Sequence, residues 1–352
     1  MNDSQEIRLA FQALIGADID RIRSEADALG FSADLWSRVQ DAGFDTIALP
    51  EHLGGSGLEL HELAAVLEVA GEYAAPIPIA EANIAALAWA ALNEDRPSGW
   101  GTVESGVCDH AVQLVPAGNA WLASGYLRRV PWAAQAGYIV FTHAAPASNG
   151  ASRRLVGIVP AGVCELQEFS NIAGEPEADV RLPAQGVCMV DVESPRAQPL
   201  AHLLEGLMLA RVSLMTGAMR RIRDLCIGYT SQRQQFGRPI IAFQAVQQQL
   251  AEMASLIEQA DAMGRLAWGC LGQREAALAA KINAGQAACC AIQAGHQVHG
   301  AIGITMEYEL QRHTRRLMAW RDYGGSEIAS ARELGEAMTA NGGDHLWQLI
   351  SA

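Results

Sequence analysis

Arginine side chains form two clusters in a chain that is otherwise acidic. The 352 residues carry a formal net charge of -14 at pH 7, so neither a nucleic acid nor an anionic membrane surface is expected as the main partner. An anionic ligand would need a local basic patch, and two clusters could bind its phosphates: Arg220, Arg221 and Arg223, and Arg312, Arg315 and Arg316. We favour the alternative that these arginines are exposed helix residues paired with Asp and Glu of adjacent helices.

Histidines and cysteines do not form a recognisable metal or disulfide pattern. His296, His299 and His313 lack carboxylate or cysteine partners at suitable spacing, so we propose no metal site. His299, beside Gly300, is expected to be a structural hydrogen-bond donor in a turn. The cysteines show no CxxC pair, and we expect all seven to be reduced residues of the core: Cys108, Cys164, Cys188, Cys226, Cys270, Cys289 and Cys290.

The elements that must position these residues are helices in the first and last parts of the chain. Over residues 4–93 apolar side chains recur at three and four positions, with turns predicted at residues 50–57 and at Pro76 and Pro78. From about residue 200 the same period returns in long segments, broken near residues 237–239, 300–303 and 324–325. This pattern predicts a bundle of four or more helices.

The middle of the chain, from about residue 106 to residue 194, has the pattern of a small β domain. Short apolar and β-branched runs are separated by Pro, Gly, Asn and Ser clusters, without a helical pattern between them. Antiparallel or mixed pairing is therefore expected rather than βαβ units. The runs that we predict to be strands are residues 111–115, 138–142, 155–159 and 187–190.

The order of helices, strands and helices indicates the α+β class. We predict an N-terminal helical domain at residues 1–100, a middle β domain at 101–197 and a C-terminal helical bundle at 198–352. Since 50% of the residues are hydrophobic and 18% charged, the chain is expected to be globular. It has neither the roughly 20 uninterrupted apolar residues of a membrane-spanning helix nor the apolar region of a signal peptide, so we expect a cytoplasmic protein.

Three segments carry a resemblance to a known family. The first is Arg233 followed by the Phe236-Gly237 turn, the second is residues 297–305 with the pattern Gln-x-x-Gly-x-x-Gly, and the third is the Pro-Glu-x-x-Gly-Gly-x-Gly turn of residues 50–57. All three resemble motifs of the acyl-CoA dehydrogenase family, in the family's order. The resemblance covers nearly the whole chain and implies an N-terminal helical domain, a middle β domain and a C-terminal four-helix bundle. The family's Thr-x-x-x-Gly-Ser segment of the β domain is reduced to residues 124–127.

The resemblance implies that the chain binds FAD. Arg233 would bind the pyrophosphate through its fork of donors, and further residues of its segment would lie along the cofactor: Gln235, Phe236, Ile240 and Gln244. The second segment would approach the same dinucleotide from a neighbouring subunit, where a Cβ would keep the backbone away: Gln297, Gly300, Ala301 and Gly303. The site would then be complete only in a dimer.

The resemblance also implies a reaction and the position of its base. Family enzymes remove the proton α to a thioester carbonyl while a hydride leaves the β carbon for the flavin, which requires a base at the α carbon. In most members this base is a glutamate after a tyrosine, and the matching position here is Gly324. In others the glutamate precedes an arginine early in the bundle, where this chain has Ala210-Arg211. The nearest substitute carboxylates are Asp322, Glu327 and Glu205, for which capping, surface charge or subunit contacts are the alternative roles.

The C-terminal run of residues 315–322 resembles the short subunits of heteromeric acyl-CoA dehydrogenases, such as those that act on steroid side-chain thioesters. In such a heterotetramer a base-less subunit completes the FAD sites of a catalytic subunit. The resemblance therefore implies an acyl-CoA substrate, a second acyl-CoA dehydrogenase-like subunit and an electron-transferring flavoprotein as electron acceptor. Two alternatives remain open: a self-sufficient homo-oligomer with a displaced carboxylate base, and a flavin-free structural or assembly protein.

Overall fold

The computed structural model describes residues 3–16, 18–26, 30–92, 98–104, 111–117, 120–146, 152–187, 189–191 and 202–340. Within these residues the chain forms two compact units, one made of Met1–Leu67 and Ala75–Leu207, the other of Glu68–Ala74 and Met208–Ala352. The predicted three-domain boundaries at residues 100 and 197 stay a prediction.

Five helices begin the chain: α1 Asp3–Gly16, α2 Ile19–Ala26, α3 Ala33–Asp41, α4 Leu60–Glu72 and α5 Ile79–Leu92. The Ser32 side chain caps α3 by accepting a hydrogen bond from the Leu35 amide at 3.3 Å. Asn83 of α5 ties down the preceding turn, since its side chain accepts from the Ile47 amide and donates to the Phe44 carbonyl, each at 2.9 Å. The predicted helices and the turn at residues 50–57 are confirmed, with a short 3₁₀ helix at Glu51–Leu53 inside the turn.

Two four-stranded sheets follow, built from β1 Gly101–Val103, β2 Ala111–Ala117, β3 Ala120–Pro131, β4 Tyr138–Pro146, β5 Ser152–Pro160, β6 Glu165–Ser170, β7 Pro176–Val187 and β8 Met189–Asp191. The sheet orders are β1-β4-β5-β8 and β2-β3-β7-β6. All pairs are antiparallel except β1 with β4, so the predicted mixed pairing is confirmed. Buried side chains of both sheets form a common core: Val112, Leu127, Val130, Ile139, Phe141, Val159 and Val180.

Three of the four predicted strands lie inside β2, β4 and β5. The fourth run, residues 187–190, begins at Val187, the last residue of β7, and continues at Met189, the first residue of β8, and these two strands belong to different sheets. Its Cys188 lies outside the described residues. The long strand β3 was not predicted. Its pairing with β7 shifts register between Ala123 and Gly125 and again between Leu127 and Val130, and such bulges interrupt the period of two that identifies a strand in sequence.

The second unit contains five helices: α6 Leu203–Gln232, whose first residues belong to the first unit, α7 Gln244–Gly269, α8 Arg274–His299, α9 Leu310–Trp320 and α10 Glu327–Ala340. A Cβ on Gly217 of α6 would overlap the carbonyl oxygen of Glu68, and one on Gly71 would overlap that of Leu214. The end of α4 therefore crosses α6 with the two backbones in contact. The predicted helical breaks are confirmed at the β9-β10 hairpin (Gln234–Gln235 and Arg238–Pro239), at the 3₁₀ helix Gly300–Ile304 and at Gly324-Gly325.

All three arginines of the first cluster pair with carboxylates, as favoured from the sequence. Arg220 contacts Glu68 at 2.5 Å and Asp261 at 2.7 Å, and Arg221 makes a two-pronged contact with Glu309 at 3.1 and 2.6 Å. The expectation of full exposure is wrong for Arg220, whose side chain is 19% exposed. This cluster therefore fastens helices to one another.

Among the described cysteines Cys164, Cys226, Cys270, Cys289 and Cys290 are free thiols, and Cys108 and Cys188 lie outside the described residues. The expectation of core positions is correct for Cys226, whereas the other four are half-buried. No group of three or more metal-ligating side chains occurs in the part of the chain that the structure describes. No helix among the same residues is long and apolar enough to cross a bilayer.

Candidate active site

The hairpin between α6 and α7 presents the first flavin-like segment to solvent. Phe236 and Gly237 both adopt left-handed backbone conformations, with φ of 52° and 79°, which is the geometry of a two-residue hairpin turn. The hairpin is fastened at its base, because the Arg233 amide donates to the Tyr229 carbonyl and the Ile240 amide donates to the Arg233 carbonyl, each at 2.8 Å. The Phe236 ring is 92% exposed at the tip, and the Arg233 and Gln235 side chains are exposed beside it.

The start of α7 lies directly behind this hairpin. The Phe243 ring contacts the guanidinium of Arg238 at 4.2 Å and lies edge-on to Phe236 with centroids 6.1 Å apart. Ile240 is half-buried, and Gln244 is the exposed first residue of the 26-residue helix. The side chain of Phe243, at the N-cap position of α7, makes no capping hydrogen bond. The amide groups of the first turn and the helix dipole favour a negatively charged group at this point.

The second flavin-like segment lies at the end of α8. Gly300 has φ of 61° and ψ of -140°, a region that side-chain-bearing residues avoid. A Cβ on Gly303 would lie 2.9 Å from Leu310 Cδ2 and 3.0 Å from His299 Cβ, so a larger residue there would displace one of these side chains. Gln297, Gly300 and Ala301 are exposed, whereas Gly303 is buried.

His299 brings the two segments to the same end of the bundle. Its Nδ1 lies 2.8 Å from the Gly295 carbonyl oxygen and its Nε2 lies 3.0 Å from the Tyr308 hydroxyl. The imidazole stacks on Tyr229, with centroids 4.6 Å apart, and Tyr229 precedes Arg233 by one helical turn. Burial lowers the pKa of His299 below its usual value, which favours the neutral ring with Nδ1–H donating to Gly295. The predicted structural role of His299 is confirmed.

The residues next to the two positions at which the family is expected to carry its base are in contact in the second unit. The guanidinium of Arg211 lies 4.3 Å from the ring centroid of Tyr323, the residue before Gly324. Gly324 has φ of 72°, and a Cβ there would lie 3.7 Å from the Cβ of Met208. Ala210 and Gly324 supply no carboxylate, so neither position carries a base.

The three substitute carboxylates differ in their exposure and in their contacts. Glu327 accepts a hydrogen bond from Arg321 Nε at 2.5 Å and its side chain is 17% exposed. Asp322 is exposed two residues before Gly324. Glu205 is buried in the first turn of α6, in the first unit. Asp322 and Glu327 are the two substitute carboxylates that lie in the second unit. Of these, only Asp322 is both exposed and near Gly324 in sequence.

Lys281 of α8 is the site residue that sequence reasoning missed. Its side chain is 0% exposed, and Nζ donates to the carbonyls of Trp320 at 3.0 Å and of Tyr323 at 2.7 Å. Burial, followed by the nearby charge of Arg211, lowers the pKa of Lys281 to about 7, and burial lowers the pKa of Arg211 to about 10. One signal could have found it, because Lys281 is the single lysine of the chain.

The reduced motif of the middle domain, residues 124–127, lies on β3. Gly125 has φ of 116° and follows the first register shift of this strand. The Tyr126 ring is 42% exposed, with the Arg128 guanidinium 5.6 Å from its centroid. This segment belongs to the first unit.

Comparisons with known proteins agree with the fold. The family model of the acyl-CoA dehydrogenase N-terminal domain matches residues 1–94, and that of the C-terminal domain matches residues 200–338. The chain belongs to the acyl-CoA dehydrogenase family, whose members are flavin-dependent oxidoreductases acting on CH–CH groups.

Among curated relatives, acyl-CoA dehydrogenase IpdE2 of Mycolicibacterium smegmatis is 25% identical over 293 residues, covering 82% of each chain. Acyl-CoA dehydrogenase FadE27 of Mycobacterium tuberculosis is 26% identical over 310 residues, covering 80% of this chain and 82% of the relative. Among solved structures, the Tcur3481-Tcur3483 steroid ACAD G363A variant superposes with a TM-score of 0.83 at 23% identity, covering 99% of both chains. The ChsE4-ChsE5 complex from Mycobacterium tuberculosis gives 0.84 at 22% identity, with 96% of this chain and 98% of that chain covered.

Proposed function

We propose that this chain is an FAD-binding subunit of an acyl-CoA dehydrogenase that lacks its own base and works beside a base-bearing subunit in a heterotetramer. One observation carries the proposal. The second unit presents both flavin-like segments at one end, whereas the place where Arg211 meets Tyr323 offers glycine and alanine at the two customary base positions.

The residues of the second unit fit the chemistry of FAD. Arg233 supplies an exposed fork of donors for a pyrophosphate, and the start of α7 adds backbone donors. Gly300 is exposed with open space around it, so a ligand can approach this turn closely, whereas the buried Gly303 lets Leu310 and His299 pack against the turn. The exposed Phe236 ring offers an apolar surface for adenine, with Gln235, Gln244 and Gln297 as amide partners. When bound, FAD would accept the hydride that leaves the β carbon of the acyl group.

Positive charge replaces the base near Gly324. Arg211 is 4% exposed and Lys281 is 0% exposed, and both lie against the turn of Trp320 and Tyr323. A carboxylate beside a buried cation has a lowered pKa and is therefore a weaker proton acceptor. This arrangement supports a subunit that leaves proton removal to its partner.

A bulky, steroid-type acyl-CoA is the substrate class that we propose. The support comes from similar structures whose names describe a steroid ACAD of two components and a ChsE4-ChsE5 complex. As electron acceptor we propose an electron-transferring flavoprotein, since the two electrons of each turnover must leave the reduced flavin. Both assignments follow from the family resemblance and depend on FAD binding.

Asp322 favours a second candidate, the self-sufficient homo-oligomer. It is exposed and lies two residues before Gly324, in the turn that carries the family's usual base position. In this case the lone protein would hold FAD and oxidise an acyl-CoA by itself, and Asp322→Asn would abolish the reaction.

Co-expression tests these candidates directly. The chain is purified alone and together with a dehydrogenase-like chain that carries the base glutamate, and native mass and flavin absorbance are measured before and after a panel of acyl-CoAs is added. We expect only the pair to hold FAD and to bleach with an acyl-CoA. Bleaching of the lone chain would contradict the base-less proposal and support Asp322. A pair without flavin would support the structural alternative.

A further inference from the structure

Lys281 is the one lysine among the 25 basic side chains of the sequence, of which the other 24 are arginines. All the remaining basic positions carry arginine, and the one lysine stands at a position where the side chain is 0% exposed. Lysine differs from arginine in two physical respects, since its amine is compact and can lose its proton when buried. The site around Lys281 therefore requires at least one of these properties.

The geometry around Nζ shows what a compact amine does there. Lys281 lies in the first half of α8 and reaches the end of α9, where its amine donates to the carbonyl of Trp320 at 3.0 Å and, in the turn that follows α9, to that of Tyr323 at 2.7 Å. Carbonyls at the end of a helix lack intrahelical donors. The lysine donates to the Trp320 carbonyl, which also accepts from the Tyr323 amide at 3.2 Å, and to the Tyr323 carbonyl, and so fastens the turn before Gly324 to another helix. A neutral amine has two N–H groups, which is the number of acceptors that Nζ contacts.

Charged groups from the neighbouring elements face this amine. The charges that influence the pKa of the amine are those of Arg211 on α6, Glu327 on α10, and Arg321 and Asp322 in the turn itself. Arg321 and Glu327 are bound to each other at 2.5 Å. Burial has the largest effect and lowers the pKa of Lys281 to about 7. The amine therefore gains or loses its proton near neutral pH.

We propose that Lys281 is a positioning residue for the turn that carries Gly324, and that the gain or loss of one proton at Nζ changes how firmly this turn is held. Because Tyr323 contacts both Lys281 and Arg211, loosening the turn also releases the surface against which Arg211 packs. The amine is sealed from solvent, so it is not itself a base for a bound substrate. The inference goes beyond the proposed function and holds with or without FAD.

A first experiment observes the amine in the unaltered protein. Labelling with lysine enriched in 13C at the ε carbon gives one lysine signal, because the sequence has one lysine. We expect this signal to titrate with a midpoint near 7 rather than near the ordinary lysine value of 10.5. A midpoint above about 10, the range of an exposed lysine, would overturn the proposal.

A second experiment measures amide hydrogen exchange in peptides covering residues 318–328 at pH 6 and pH 9, corrected for intrinsic rates. In the wild type we expect protection of the turn to differ between the two pH values. Lys281→Met removes two hydrogen bonds, so exchange is expected to be about tenfold faster at either pH. Lys281→Arg cannot lose its proton, and we expect it to remove the difference between pH 6 and pH 9.

Thr230→Val is the matched control, because Thr230 is buried in α6 and donates to the Cys226 carbonyl at 2.7 Å. It is expected to lower global stability without a local effect on residues 318–328. If Lys281→Met and Thr230→Val change exchange of the turn equally, or if the wild type shows no pH dependence there, the proposal is wrong. If neither Lys281 variant folds, the wild-type titration and exchange profiles still decide the question.

Discussion

The guanidinium of Arg211 packs on the face of Tyr323, 4.3 Å from the ring centroid. This contact joins two points that are more than a hundred residues apart in sequence. Each of the two residues is the chain neighbour of a position where the family is expected to carry its catalytic glutamate, Ala210 beside Arg211 and Gly324 beside Tyr323. A cation over an aromatic face is an attractive interaction that strengthens when it is buried. The two expected base positions therefore flank a buried pair of an arginine and a tyrosine.

Gly324 is expected to tolerate no side chain without cost. Its φ of 72° is left-handed, so Gly324→Ala should lower the free energy of unfolding by about 1 kcal/mol, as measured by urea denaturation. Gly335→Ala is the control, since Gly335 lies inside α10 and a Cβ added there would have open space around it, so that alanine should be stabilising. Equal changes in unfolding free energy for the two variants would mean that the turn around Gly324 relaxes to accommodate the alanine side chain.

A substitution at Gly217 tests whether α4 and α6 cross as closely as the structure shows. Its Cβ would overlap the Glu68 carbonyl oxygen, so Gly217→Ala should cost about 1–3 kcal/mol of unfolding free energy through overpacking. Gly228→Ala, in the same helix with open space around its Cβ, should be neutral or slightly stabilising. Thermal and urea denaturation of the two variants measure the difference, and a neutral Gly217→Ala would show that the helices do not cross this closely.

Removing the Arg233 side chain is expected to reduce flavin retention without affecting the fold. A charge-assisted hydrogen bond contributes about 1.5–3 kcal/mol, so Arg233→Ala should weaken FAD binding by roughly 10-fold to 100-fold. Flavin fluorescence during dilution of the co-expressed complex measures this loss, and circular dichroism checks the fold. As the control, Arg223→Ala removes a partly exposed arginine of α6 that pairs with Glu258 at 3.1 Å. If both variants retain flavin equally, Arg233 does not bind the cofactor.

His299 should make stability depend on pH in the acid range. Its folded pKa lies below the ordinary histidine value of 6.5, chiefly because of burial, so the unfolded chain binds the proton more readily. The contribution of the neutral ring is then fully present above pH 6.5 and is lost as the pH falls through the folded pKa. We expect the stability difference between wild type and His299→Gln to shrink from pH 8 to pH 5. Thr230→Val is the control, since Thr230 is buried and does not titrate, so its effect on stability should be the same at pH 8 and pH 5.

The sequence by itself determined the class of fold and the location of the flavin-like segments. Helical periodicity, glycine and proline breaks and three motifs were enough, because each depends on residues that are close together in the chain. The helical bundle, the mixed sheets and the structural role of His299 follow from such local patterns. The strand β3 escaped this reasoning, since its bulges near Gly125 and Val130 disturb the alternation that local patterns require.

The tertiary structure alone decided which distant residues meet. It brought Tyr229 against His299, and so placed both flavin-like segments at one end of the bundle. It also brought Arg211 to Tyr323 and the sealed amine of Lys281 to the same turn. These contacts depend on how α6, α8 and α9 pack, and packing is set by the fit of side chains from separate helices. The period of a single helix reports which face is buried but not which residue of another helix lies opposite.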